Sequence, residues 1–241
     1  MAKLIDELSV FLPTYNEEEN IEAVAVKVRK VLSETAEKWE LLIVNDGSRD
    51  TTGAIIDKLA GRVDGIKVVT HKTNLGYGAT LSSGFYESKY EWVAFIDSDG
   101  QFDFTEIKNF IEIQKATGAD LVIGYYKDRK VSLSKKVTSK MWEYLVFFLF
   151  GLKVKDIDCG FKFISRKVVD GISKLESERG AFISSELLIK AKKKGFKIVE
   201  VPVTHYPRTR GSGTGRNLNV IIKSFVDLFK LFLKTSWRKL K

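Results

Sequence analysis

The sequence predicts an α/β protein built on a doubly wound, largely parallel sheet, and three observations carry that prediction. Short apolar runs alternate with helical patterns through the first half of the chain, which is the rhythm of βαβ units. Polar clusters follow those runs, where the ligand-binding loops of an open parallel sheet lie beyond the carboxyl ends of its strands. The 241 residues, 44% of them hydrophobic, suffice to bury a sizeable core.

Taken in order, an apolar run at 8–12 predicts the first strand, helical periodicity over 21–32 the first helix, and 41–44 the second strand. Further strands are expected at 66–70, 92–96 and 120–123, with helices at 52–60, 79–88 and 104–115. Everything up to Gly124 reads as one doubly wound core. Beyond it come a basic stretch at 127–140, an aromatic-rich segment at 141–150 and a polar turn at 156–160, read as structure added to that core. A helix starts near Glu186 and runs towards Gly195. Repeats, low-complexity runs and obvious linkers are absent from the sequence.

The formal net charge of +9 is unevenly placed, since residues 208–241 hold nine Lys or Arg against one acid, Asp227. Partners should therefore be anionic and should meet the end of the chain. A single cysteine, Cys159, rules out an intrachain disulfide, and residues 1–12 lack the layout of a secretory signal. A cytosolic, reducing environment is the simplest expectation. Charge-free stretches such as 144–152 are shorter than the roughly 18 apolar residues that a spanning helix needs.

Asp97 and Asp99 end the 92–96 run abruptly, with Gln101 beyond. Carboxylates at that spacing can bind Mg²⁺ or Mn²⁺ and leave positions for a diphosphate, whereas a lone Asp-x-Asp is more often a solvated turn. In Asn45-Asp46-Gly47-Ser48, Asp46 can face a base or ribose while Asp50 or Thr51 caps the following helix, and both readings hold together. His71 and His205 receive no role. Glu186 is either a charge near a helix start or a substrate ligand.

Pro13-Thr14-Tyr15-Asn16-Glu17-Glu18-Glu19-Asn20-Ile21, Asn45-Asp46-Gly47-Ser48, Asn74-Leu75-Gly76-Tyr77-Gly78-Ala79 and Asp97-Ser98-Asp99-Gly100-Gln101 resemble, in order and spacing, the family 2 glycosyltransferases. Asp158-Cys159-Gly160-Phe161-Lys162 and Val201-Pro202-Val203-Thr204, with Arg208 and Gly211, are similar to the polyprenyl-phosphate branch of that family. The resemblance implies the GT-A fold, a Rossmann-like, mostly parallel sheet flanked by helices and followed by C-terminal amphipathic helices. It implies one domain over 1–213, with a nucleotide-sugar half at 1–124 and an acceptor half at 125–213, then a basic helix at 214–241.

By the same resemblance, the activity is inverting, metal-dependent transfer of a hexose from a GDP- or UDP-linked sugar to a polyprenyl or dolichyl phosphate. Pro13, Tyr15, Glu17 and Asp46, with Asp97 and Ser98, would surround the nucleotide sugar. Asp97, Asp99 and Gln101 would hold Mg²⁺ or Mn²⁺, and Lys135, Ser139 and Arg208 would contact the acceptor phosphate. Three departures stand out: Gly124-Tyr125-Tyr126 where the branch has Gly-Ser-Arg, Cys159 for Ser, and Gly213-Thr214 for Ser-Lys. Lys127 or Arg129 would have to replace the missing arginine.

A membrane surface is the expected third partner, met peripherally on the cytoplasmic face. Leu218, Ile221, Ile222, Phe225, Phe229, Phe232 and Leu233 recur at helical spacing opposite Lys223, Asp227, Lys230 and Lys234, and 135–152 repeats the arrangement. A terminal helix packed on the core is the plainer reading of that stripe. A soluble or polysaccharide hydroxyl acceptor is the alternative, with Glu186 or Asp158 recruited as base. Nucleic acid is not expected, because the aromatics follow helical stripes instead of interleaving with Arg on a sheet face.

Overall fold

The last seven residues of strand β1 (Ile5–Thr14) are all buried, because helices cover both faces of the sheet around it. Helix α1 (Ile21–Thr35) buries Ile21, Ala25, Val28 and Leu32, one per turn, and runs directly into β2 (Ala36–Asn45). The computed structural model describes residues 3–127, 133–177, 180, 182–211 and 218–237, without the side chains of 133–136, 218–222 and 235–237. The expected boundary at 213/214 lies outside those residues. The first half continues with α2 (Thr52–Ala60), β3 (Ile66–Thr70), α3 (Tyr77–Glu87), β4 (Trp92–Ile96), α4 (Ile107–Thr117) and β5 (Leu121–Tyr126). Then follow α5 (Leu133–Phe150), β6 (Phe161–Ser165), α6 (Arg166–Gly171), α7 (Phe182–Lys193), β7 (Ile198–Val203) and α8 (Leu218–Trp237).

These strands form one seven-stranded sheet in the order β3-β2-β1-β4-β6-β5-β7. Pairing is parallel throughout except at β6, which runs antiparallel to both β4 and β5. The expected α/β class and mostly parallel sheet therefore hold, with one reversed strand. From β1 the chain winds outward through β2 and β3, then returns to place β4 on the other flank of β1. That reversal opens a crevice beyond the carboxyl ends of β1 and β4, and the loops after β1, β2 and β4 converge there.

One core layer packs Leu12, Ile21, Phe110 and Phe161 on one face of the sheet; the other packs Phe11, Phe85, Phe95 and Leu187 on the opposite face. Phe11 stacks on Phe95 at 5.3 Å and takes the edge of Phe85 at 5.1 Å. Gly84 lets α3 approach this group, since a Cβ there would lie 2.3 Å from the Phe11 ring.

Helix α8 buries Leu228 and Leu231, two residues outside the apolar stripe read from the sequence, and leaves Phe229 and Leu233 exposed. Phe225 meets Trp142 of α5 edge-on at 5.2 Å, and Phe232 meets Phe150 at 5.9 Å. The helix carries apolar residues around most of its girth, so packing against α5 and α7 decides which of them are covered. Among the described residues no helix is long and apolar enough to cross a membrane.

Candidate functional site

The loop after β1 turns sharply at Asn16, which adopts the left-handed conformation with φ 53°. Its strain is offset by lacing to the loop after β2. The Asn16 amide donates to Ser48 Oγ at 3.0 Å, Asn16 Oδ1 accepts from the Arg49 amide at 2.8 Å, and the Glu17 amide donates to Thr52 Oγ1 at 2.9 Å. Asp50 accepts from the Thr52 amide at 3.0 Å, so it serves the start of α2 as the sequence suggests.

Asp46 is buried at the end of β2, where its carboxylate accepts from the amides of Leu75 at 2.9 Å and Gly76 at 2.8 Å. His71 lies with Nδ1 2.7 Å from Asp46 Oδ1 and Nε2 2.9 Å from Ser83 Oγ. Asp46 and His71 thus fasten the 74–76 loop that starts α3. Gly47, at φ 65°, allows the close approach, because a Cβ there would sit 2.6 Å from the Thr73 carbonyl carbon.

Beyond β4, the Ser98 hydroxyl donates to Pro13 O at 2.7 Å and ties the acidic loop to the end of β1. The Tyr77 hydroxyl donates to Asp97 Oδ1 at 2.9 Å, and the Gln101 amide donates to Asp99 Oδ1 at 3.0 Å. Burial, then the neighbouring Asp99 charge, push the Asp97 carboxyl up to about 7. Burial and Asp97 likewise push the Tyr77 phenol well above its ordinary value, so it stays protonated and remains a donor. Two carboxylates and the Gln101 amide oxygen on one loop are hard donors crowded with unneutralised charge, which fits Mg²⁺ or Mn²⁺. Among the described residues no group of three or more His, Cys, Asp or Glu is placed to hold a metal ion by itself.

Arg208, on the segment after β7, reaches across the crevice. Its Nη2 lies 2.6 Å from Glu17 Oε1 and 3.4 Å from Asp99 Oδ2, while the buried Nη1 has no acceptor among the described residues. The segment is pinned on both sides: the Tyr206 amide donates to Gln101 O at 2.8 Å, Gln101 Nε2 to Tyr206 O at 2.8 Å, and the Gly211 amide to Glu19 Oε2 at 3.1 Å.

The fold therefore gathers Pro13, Glu17, Asp97, Ser98, Asp99, Gln101 and Arg208 at one place, with Tyr15 half-buried on the same loop and Asp46 behind the Tyr77 loop. Ser139 is half-buried on α5, and Lys135 lies two residues outside the part of that helix whose side chains are described. Arg129 and Gly213-Thr214 fall outside the described residues, whereas Lys127 is exposed at the end of β5. Tyr126, in place of the family arginine, stacks near Phe102 at 6.0 Å and meets the His205 ring at 4.6 Å.

Three residues of this centre escape the sequence reading: His71, Tyr77 and Lys162. Tyr77 and Lys162 both stand inside motifs that carry the family resemblance without being given a role there, and Lys162 also interrupts an apolar run. Lys162 is fully buried in β6 beneath Asp97 and donates to Cys159 O. Burial lowers its pKa, against the opposing charges of Asp156, Asp158 and Asp97. Glu186, by contrast, is buried on α7 and held by the amides of Glu176 and Ser177 and by Lys190 at 2.6 Å.

Residues 9–172 match the family model "Glycosyl transferase family 2". A dodecaprenyl-phosphate galacturonate synthase of Rhizobium johnstonii is 28% identical over 92% of this chain and 67% of its own. A polyprenol monophosphomannose synthase of Mycolicibacterium smegmatis is 32% identical over 84% of this chain and 78% of its own. Among solved structures, glucosyl-3-phosphoglycerate synthase from Mycobacterium tuberculosis, in complex with Mn²⁺, UDP and glucosyl-3-phosphoglycerate, aligns with a TM-score of 0.62 at 21% identity. That alignment covers 86% of this chain and 73% of the other. At that identity the likeness shows the fold, which is of the expected GT-A type.

Proposed function

The chain belongs to glycosyl transferase family 2 and is a glycosyltransferase, and from that premise we propose that it moves a hexose, with inversion, from a nucleoside-diphosphate sugar to a polyprenyl phosphate. The observation that carries this reading is Arg208, a guanidinium beside the acidic loop whose buried Nη1 has no acceptor among the described residues. A basic side chain there suits an acceptor that is itself an anion.

Pro13, Tyr15, Glu17 and Asp46 line the nucleoside side of the crevice in this reading, and Ser98 keeps the acidic loop against β1. Asp97, Asp99 and Gln101 would hold Mg²⁺ or Mn²⁺, which when bound would offset the charge gathering on the departing diphosphate. Tyr77 fixes the orientation of Asp97. Arg208, with Lys135 and Ser139, brings the acceptor phosphate to the anomeric carbon. A phosphate oxygen forms the new bond as the bond to the diphosphate breaks. An acceptor already ionised loses no proton, so no protein base is required. That agrees with Glu186, one of the two carboxylates a hydroxyl acceptor would recruit, being engaged by two backbone amides and Lys190.

The deciding assay offers GDP- and UDP-linked hexoses with Mn²⁺ and either a polyprenyl phosphate in detergent or a free sugar. Label extracted into organic solvent with the lipid is the expected result. Transfer to the sugar hydroxyl alone would establish the soluble-acceptor alternative.

The same reading places the enzyme peripherally on the cytoplasmic face of a membrane. Val137, Met141, Tyr144 and Phe148 form an exposed stripe along α5, and Val226, Phe229 and Leu233 another along α8, with Lys140, Lys223, Lys230 and Lys234 exposed around them. Deleting α8 would also remove the buried Leu228 and Leu231 and uncover the core they pack on, so point changes are the cleaner test. Phe148→Asp combined with Phe229→Asp alters residues that are 84% and 51% exposed and should leave the melting temperature unchanged. Sedimentation with anionic phospholipid vesicles should fall by roughly tenfold.

A further inference from the structure

Arg208 sits closer to the acidic loop than an acceptor contact alone requires. Its guanidinium spans Glu17 and Asp99, at 2.6 and 3.4 Å, so it supplies positive charge to one of the carboxylates assigned to the divalent ion. Asp97 lies out of that guanidinium's reach and is crowded by Asp99 itself, with the buried Lys162 beneath it as its nearest positive charge. The arginine stands on a segment strapped across the crevice, held by Tyr206 to Gln101 on one side and by Gly211 to Glu19 on the other. A divalent ion on Asp97 and Asp99 and a guanidinium against Asp99 are like charges a few ångströms apart, in a place partly shielded from water.

We infer that Arg208 is a resident counter-ion which the divalent cation displaces from Asp99, so that cation binding loosens the 204–211 strap and frees Arg208 for the acceptor phosphate. This rests on the metal reading above and adds an order to it, with metal and nucleotide sugar before acceptor. As the strap loosens, Nη2 leaves Asp99 first, its longer contact, and Nη1, which has no acceptor among the described residues, turns to the incoming phosphate. The strap thereby admits the acceptor only once the donor side is charged, which keeps a second anion out of a crevice with nothing yet to transfer.

The exchange has a signature that a plain acceptor contact lacks: removing Arg208 should tighten metal binding. Mn²⁺ titrations without nucleotide, read by electron paramagnetic resonance, should give a dissociation constant about tenfold lower for Arg208→Met than for the parent, as expected when a competing charge is removed. Arg208→Lys should return it most of the way. An unchanged or weaker Mn²⁺ affinity in Arg208→Met overturns the inference while leaving the metal site standing. Absence of Mn²⁺ binding to the parent protein overturns both. Trypsin provides a check needing no substitution, because Arg208 and Arg210 lie on the strap. Cleavage after them should quicken several-fold when Mn²⁺ is added, and an unchanged rate refutes the loosening.

Discussion

Asp99→Ala should lower turnover by roughly 10³-fold, since a charged ligand facing the departing diphosphate is worth several kcal/mol in the transition state. The substitution removes one of two carboxylates at the mouth of the crevice together with the second partner of Arg208. Its side chain is half-buried and held within the loop by the Gln101 amide, so the melting temperature should hardly move. Steady-state kinetics across a Mn²⁺ series would check this. A variant that recovers parental kcat at saturating Mn²⁺ would show that Asp99 is not a ligand.

Gly160→Ala should be almost as damaging, although residue 160 touches no substrate in the proposed reaction. A Cβ there would lie 2.0 Å from Asp97 Oδ2 and 2.5 Å from its carboxyl carbon. Relief comes from swinging Asp97 aside, which breaks its bond from Tyr77 and spoils the angle at which it meets a cation. A short side chain at the rim can move without emptying the core, so the cost falls on function. Turnover should drop at least about 100-fold, as for other displacements of a catalytic group by an ångström or more. Mn²⁺ affinity should fall with it, while thermal unfolding changes little. Parental kinetics in Gly160→Ala would mean that Asp97 already points elsewhere.

Strands β1 to β4 are readable because each is an apolar run ending in a turn or an acid. The acidic loop was readable for the same reason, as 97–101 ends a buried strand. β6 was not. Its Lys162 looks like a surface residue until Cys159 O, Asp97, Asp156 and Asp158 are seen around it, and only the folded chain brings them there. The buried face of α8 was misjudged because apolar residues ring the helix and periodicity alone cannot say which side meets α5 and α7. Arg208 was picked out by resemblance, but its pairing with Glu17 joins residues 191 positions apart and is invisible in any local pattern. The part played by His71 was hidden likewise, in a bond back to Asp46.

The reversed strand also bears on how the protein is made. β6 enters between β4 and β5, so when the ribosome has released only the first five strands, β4 presents a bare row of amides and carbonyls where its neighbour belongs. Nascent chains must shelter that row until some forty more residues emerge, which makes the interval before β6 arrives the time of greatest exposure to self-association during synthesis.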